Sequence, residues 1–236
     1  MSTPAFGPDR VRRGETGVTV LVVDDHELVR VSMVMALRDQ GVSAHACTAR
    51  TIRGICAEAA EYPAGLVLLD LDLGVDQHDI PVEGSDAVAE LRSLGWRVLA
   101  VSGSDRRRRA RIAAAIAAGA VGQVPKSASF PALVDALVKA VAGIPVMRAE
   151  EHREWIELNR RYVAEARLRA ELLSRLSVRE LLVLERLADG HRAAEIAAEL
   201  VLSVNTVRSH IRSIRAKLQV SSQLGAVALL REHEPG

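Results

Sequence analysis

Four short apolar runs in the first half of the chain each end on a polar residue. Val18 to Val23 closes on Asp24-Asp25, and Leu66 to Leu69 closes on Asp70. Val98 to Val101 closes on Ser102-Gly103, and Ala120 to Val124 leads through Pro125 to Lys126. The runs are too short for helices and rich in β-branched residues, so they predict strands. Longer stretches with helical spacing separate them, near residues 26–40, 49–61, 85–94, 105–118 and 129–142. A fifth strand, residues 43–47, is weak by pattern and is placed by its position between two helices. Strands alternating with crossover helices predict an α/β fold around a parallel five-stranded sheet. Such sheets gather functional groups at the carboxyl ends of their strands.

The pattern changes after Pro145. Residues 148–174 are rich in Arg, Glu, Ala and Leu, with apolar positions at mostly helical spacing and opposite charges three or four apart. They predict one long linker helix, which either pairs with a second copy or packs on its own domain. Residues 175–232 then predict four helices. Ser177 and Glu180 form a capping box for the first, and Gly190 suits the left-handed position that ends it. A short second helix, residues 193–200, precedes a third that Ser203 caps. That third helix turns Val207, Ile211, Ile214 and Leu218 inward and carries Arg208, Arg212 and Arg215 on the other surface, with no acidic residue. Two short helices and a tight turn before a basic helix form a helix-turn-helix pattern. The domains are thus an N-terminal tail (1–17), an α/β domain (18–147), the linker (148–174) and an all-α domain (175–232).

Composition narrows the picture. The 236 residues are 49% hydrophobic but only 3% aromatic, so the cores are built from Ala, Val, Leu and Ile. The net charge of +1 argues neither for nor against a polyanionic partner. Cys47 and Cys56 lack metal-ligand spacing and read as thiols of a reducing compartment. Residues 1–17 have no apolar core for a signal peptide, and no window reaches the length of a membrane span. A cytoplasmic protein without a membrane partner is expected.

The strand ends carry three carboxylates, a hydroxyl and an amine. Carboxylate oxygens suit Mg²⁺, a cation that retains waters and favours phosphate-bearing sites. An aspartate is also a covalent acceptor in phosphoryl transfer. Each residue has a plainer role open to it: Asp25 or Ser102 as a helix N-cap, Lys126 as a solvated lysine. The run Arg106-Arg107-Arg108-Arg109-Ala110-Arg111 reads either as a solvated helix face or as a dock for the linker's Glu150, Glu151 and Glu154.

Residues 18–146 resemble a response-regulator receiver domain, a flavodoxin-like fold. The likeness rests on Val22-Val23-Asp24-Asp25-His26, Leu68-Leu69-Asp70, Ser102-Gly103, and Gly119-Ala120-Val121-Gly122 leading to Lys126-Ser127. It implies that Asp70 accepts a phosphoryl group from a sensor histidine kinase. It further implies that Asp24, Asp25, Asp70 and the Asp72 backbone carbonyl hold Mg²⁺, and that Ser102 and Lys126 bind the phosphoryl group. Two positions depart from the family pattern. Gly74 replaces a common proline beside a long acidic stretch, residues 74–84, and predicts a looser loop. Gln123 replaces the aromatic that often couples the site to the far surface.

Residues 176–230 resemble the LuxR-type output domain of the NarL/FixJ class. The likeness rests on Leu176-Ser177-x-Arg179-Glu180, Glu195-Ile196-Ala197, Ser203, Thr206-Val207, His210-Ile211 and Lys217-Leu218. It implies that Arg208, Ser209 and Arg212 face the major groove of DNA, that Thr206 and Lys217 approach its backbone, and that the fourth helix joins a homodimer. Asn205 and His210 are able to add polar contacts. Two other readings stay open: a regulator that acts without phosphorylation, and a haloacid-dehalogenase-type phosphohydrolase using Asp70-Leu71-Asp72.

Overall fold

The computed structural model describes residues 17–75, 81–103 and 107–232, and divides into two compact units, 1–160 and 161–236. The expected tail, the middle of the 74–84 stretch, Asp105 and Arg106 lie outside the described residues.

The first unit is built on a parallel sheet of order β2-β1-β3-β6-β7, comprising Ser43–Ala46, Thr19–Val23, Leu66–Asp70, Arg97–Ser102 and Gly122–Pro125. Its runs lack polar alternation because both faces are covered. Leu21, Val23, Val67, Leu69, Val98 and Ala100 point to one face. There they meet Ile55 of α2 (Ile52–Ala59), Val88 and Leu91 of α3 (Gly84–Ser93), and Ile112 and Ile116 of α4 (Arg108–Ala117). The intervening Val20, Val22, Leu66, Leu68, Leu99 and Val101 meet Val34 and Leu37 of α1 (Glu27–Asp39) and Leu133 and Leu137 of α5 (Phe130–Ala142). Parallel pairing aligns the carboxyl ends of β1, β3, β6 and β7 and so gathers Asp24, Asp70, Ser102 and Lys126 at one end of the sheet.

The expected loop after Asp70 is partly a two-stranded antiparallel hairpin, β4 (Asp72–Val75) and β5 (Pro81–Glu83), in which Asp72 pairs with Glu83 and Val75 with Pro81. Gly74 has φ +69°, a left-handed conformation that proline cannot adopt. It sits in the irregular register between Asp72 and Val75, and residues 76–80 of the loop expected to be loose lie outside the described residues. Arg111 of α4 staples the hairpin through Asp72 Oδ2 at 3.1 Å and both carboxylate oxygens of Glu83. At Gly84 a Cβ would collide with the Asp70 carbonyl oxygen, so only glycine lets α3 start this close to the acceptor strand.

A long helix, α6 (Ala149–Ser174), follows, and the boundary between the two units falls within it. Trp155 and Ile156 pack against the core of the first unit, with the Arg109 guanidinium 5.9 Å above the Trp155 ring. Of the alternatives for the arginine run, a carboxylate dock at Arg109 is thus replaced by an aromatic contact.

In the second unit Leu172 and Leu173 join a core with Val183, Leu184 and Leu187 of α7 (Val178–Ala188), Ile196 of α8 (Ala193–Glu199), Val207 and Ile214 of α9 (Val204–Lys217), and Val227 and Leu230 of α10 (Gln223–Arg231). The Ser177 and Ser203 caps form as expected, accepting from the Glu180 and Thr206 amides at 3.3 and 3.0 Å. Gly190 ends α7 with φ +90°. Val201, in the turn before α9, has φ +54° and is 90% exposed, an uncommon conformation for a β-branched residue.

Candidate functional site

Asp24 follows β1 and Asp70 ends β3, so parallel pairing of the two strands sets their carboxyls side by side. Both are buried, at 5% and 1% exposure. Lys126, just past β7, places its ammonium 2.6 Å from Asp70 Oδ2 and 3.0 Å from Asp24 Oδ2. Asp70 Oδ1 accepts from the Asp72 amide at 3.1 Å. Lys126 is therefore no solvated surface lysine.

The electrostatics are asymmetric. Burial pushes the Asp70 carboxyl up to about 6, against the Lys126 hydrogen bond and the Asp72 amide, which pull it down. Burial alone would lower the Lys126 amine, but hydrogen bonds to Asp70 and then Asp24 outweigh it and hold the amine above its usual range. Burial outweighs the polar partners at Asp70, whereas two carboxylates together outweigh burial at Lys126.

Asp25 points into the same space, and its buried Oδ1 lies 2.6 Å from His26 Nδ1. It does not cap α1, because the residue before that helix is His26, with no side-chain cap. The Asp24 carboxylate accepts from the His26 amide at 2.8 Å, just before the helix. Ligand atoms of Asp24, Asp25, His26 and Asp70 lie within 4.8 Å of one another. Three converging carboxylates, two of them buried, fit a hard, oxygen-preferring cation such as Mg²⁺. Mg²⁺ there would be held by Asp24, Asp25 and Asp70, while the exposed His26 imidazole is a poor ligand for it. The Asp72 side chain is taken by Arg111, which leaves only its backbone carbonyl for such a role.

Ser102 is 3% exposed and caps nothing: α4 begins at Arg108, with Arg107 before it. Its hydroxyl donates to Gln123 Oε1 at 3.5 Å and accepts from Arg108 Nε at 3.3 Å. Gln123 thus replaces an aromatic with a polar link to Ser102. Arg108 and Arg111 were not singled out as site residues. The only signal in the sequence was the arginine run, which does not tell its members apart.

On α9 the faces separate as expected, with two exceptions. Asn205, Thr206, Arg208, Ser209 and Arg212 are exposed on one side, and His210 is half-buried. Arg215 does not join them: it folds back to donate to the Ser221 carbonyl oxygen. Lys217, expected near a nucleic-acid backbone, instead reaches Glu180 Oε2 at 2.7 Å, beside the Ser213 hydroxyl at 2.6 Å from Glu180 Oε1. Glu180 is buried, which by itself would raise its carboxyl, but Lys217, Ser213 and Ser177 pull it down to about 2.

Family comparisons agree with this geometry. The response regulator receiver domain matches residues 20–138, and the bacterial regulatory proteins of the luxR family match residues 174–230. The chain belongs to the response regulators that join a receiver to a LuxR-type DNA-binding domain. It is 26% identical to the response regulator protein VraR of Staphylococcus aureus (strain NCTC 8325 / PS 47) over 216 residues, 92% of this chain and 97% of the relative. The same figures hold for VraR of Staphylococcus epidermidis. Among solved structures, the two-component response regulator RcsB in complex with DNA aligns at 20% identity and a TM-score of 0.47, covering 92% of this chain and 99% of that one. Asp70 ends the third strand of a receiver sheet, which displaces the dehalogenase-type reading. Among the described residues no helix is long and apolar enough to cross a membrane.

Proposed function

We propose that this DNA-binding regulator is switched by phosphorylation of Asp70, with Mg²⁺ held by Asp24, Asp25, Asp70 and the Asp72 carbonyl. One observation carries the reading: a buried Asp70 shares Lys126 with Asp24, and the Asp25 carboxylate brings a further ligand atom within 4.8 Å of theirs. A carboxylate oxygen of Asp70 attacks the phosphorus of a kinase phosphohistidine. The new P–O bond forms as the P–N bond breaks, and the imidazole leaves with the electron pair. The chemistry needs alignment and charge neutralisation, which Lys126 and the divalent cation supply, while Ser102 bonds a phosphoryl oxygen. The modified protein binds a two-part operator as a homodimer in the cytoplasm. Arg208, Ser209 and Arg212 read bases, and Asn205 and Thr206 contact phosphates. In that complex Lys217 acts by holding α9 on Glu180.

The test is intact mass after exposure to a small phosphodonor with Mg²⁺, beside Asp70→Asn. A gain of one phosphoryl group, absent in the variant, is the expected result. No gain under any donor favours a regulator that acts without phosphorylation, a reading that the polar Ser102–Gln123 link motivates.

A further inference from the structure

The arginines that open α4 do different things. Arg111 is occupied by Asp72 and Glu83, and Arg109 lies over Trp155. Arg108 is half-buried, and its Nε donates to the hydroxyl of Ser102, a neutral group. Among the described residues no carboxylate pairs with Arg108. A guanidinium is rigid, always charged and offers five donors in a planar fork. Here one donor is used on a hydroxyl, at the rim of a pocket whose other cation already serves two carboxylates.

We infer that Arg108 is a second protein cation for the phosphoryl group, bonding its oxygens alongside Ser102 once Asp70 is modified. This inference rests on the phosphoacceptor reading above. Phosphorylation takes the Asp70 side chain from about −1 to roughly −2 and presents three phosphoryl acceptor oxygens. Lys126 stays shared with Asp24 at 3.0 Å and Mg²⁺ would be held among the acidic residues, so the phosphoryl oxygen on the Ser102 side is left for another donor. An oxygen bonded by the Ser102 hydroxyl lies next to the atom that Arg108 already touches, so the remaining N–H groups of the fork are placed to meet the same anion. Gln123 then loses its hydrogen bond from Ser102, and the first turn of α4 gains one to the acceptor. In this chain the polar trio Arg108, Ser102 and Gln123 registers the modification where an aromatic side chain would otherwise do so.

The experiment is calorimetric titration of the full-length protein with beryllium fluoride, a phosphoryl mimic, at saturating Mg²⁺. A Mg²⁺ titration without fluoride runs beside it. Arg108→Ala is expected to weaken the fluoride complex about tenfold, a loss near 1.4 kcal/mol, with Mg²⁺ affinity unchanged. Arg108→Lys keeps the charge and recovers most of the loss. In a Ser102→Ala background, Arg108→Ala still weakens binding severalfold. Equal binding by Arg108→Ala and the unaltered protein overturns the inference. So does an absence of further loss in the Ser102→Ala background, which makes Arg108 only a prop for the hydroxyl. If the unaltered protein binds no beryllium fluoride and takes up no phosphoryl group, the phosphoacceptor reading fails first and takes the inference with it.

Discussion

Lys217 Nζ lies 2.7 Å from Glu180 Oε2, tying the last turn of α9 to the first turn of α7. The same carboxylate closes the capping box by accepting from the Ser177 amide at 2.7 Å. With its folded value near 2 against an ordinary 4.5, Glu180 adds stability that is fully present above pH 4.5. That stability is lost as the pH falls through about 2. The urea midpoint of the C-terminal domain is expected to drop from pH 5 to pH 3 in the full-length protein. Glu180→Gln removes that part of the pH dependence and costs about 2 kcal/mol at pH 7. A variant with the parent's pH slope would remove Glu180 from this role.

Val201 predicts a gain. A β-branched residue with φ +54° carries about 1 kcal/mol of strain in its left-handed backbone, and at 90% exposure its side chain recovers little by packing. Val201→Gly is expected to raise the thermal midpoint of the C-terminal domain by several degrees. A lower midpoint would mean that the valine is held by something other than its turn.

Lys126→Met leaves Asp24 and Asp70 facing each other without their shared cation. Breaking a buried pair costs on the order of 3 kcal/mol, so the metal-free N-terminal domain melts earlier. Added Mg²⁺ is expected to restore more stability to the variant than it adds to the parent, because the dication relieves the same repulsion. Scanning calorimetry with and without Mg²⁺ compares the two increments.

Arg208→Ala and Arg212→Ala test the exposed face of α9. Removing a bidentate hydrogen bond to a base costs roughly 1–3 kcal/mol and relaxes sequence preference at one position. Removing an ion pair with a phosphate weakens binding to all sequences alike and lowers the salt slope by about 1. Operator titrations at several salt concentrations separate the two. Arg215→Ala is expected to change binding less, because its guanidinium serves the Ser221 carbonyl.

The sheet was legible because every strand of its centre is buried on both faces, which writes an unbroken apolar run into the chain. The acidic site was legible for a related reason: strand ends in a parallel sheet converge, so order along the chain became proximity. What escaped depended on distance in space. Nothing in the run 106–111 distinguishes Arg111, which staples a hairpin, from Arg108, which touches Ser102. Lys217 and Arg215 likewise read as outward cations until the packing of α7 and α10 showed what each one reaches. The pairing of Asp72 with Glu83 escapes the sequence because Gly74 reads there as a missing proline, while its positive φ is visible only in the fold.

The chain has two tryptophans, and they differ in a useful way. Trp96 is sealed in the core at 3% exposure, while Trp155 sits half-buried beneath the Arg109 guanidinium. The indole emission of Trp155 is therefore sensitive to a neighbouring cation carried by the same helix turn as Arg108. With Trp96 replaced by phenylalanine, the protein becomes its own optical probe of α4. Its emission is expected to follow events at the acidic pocket without any attached dye.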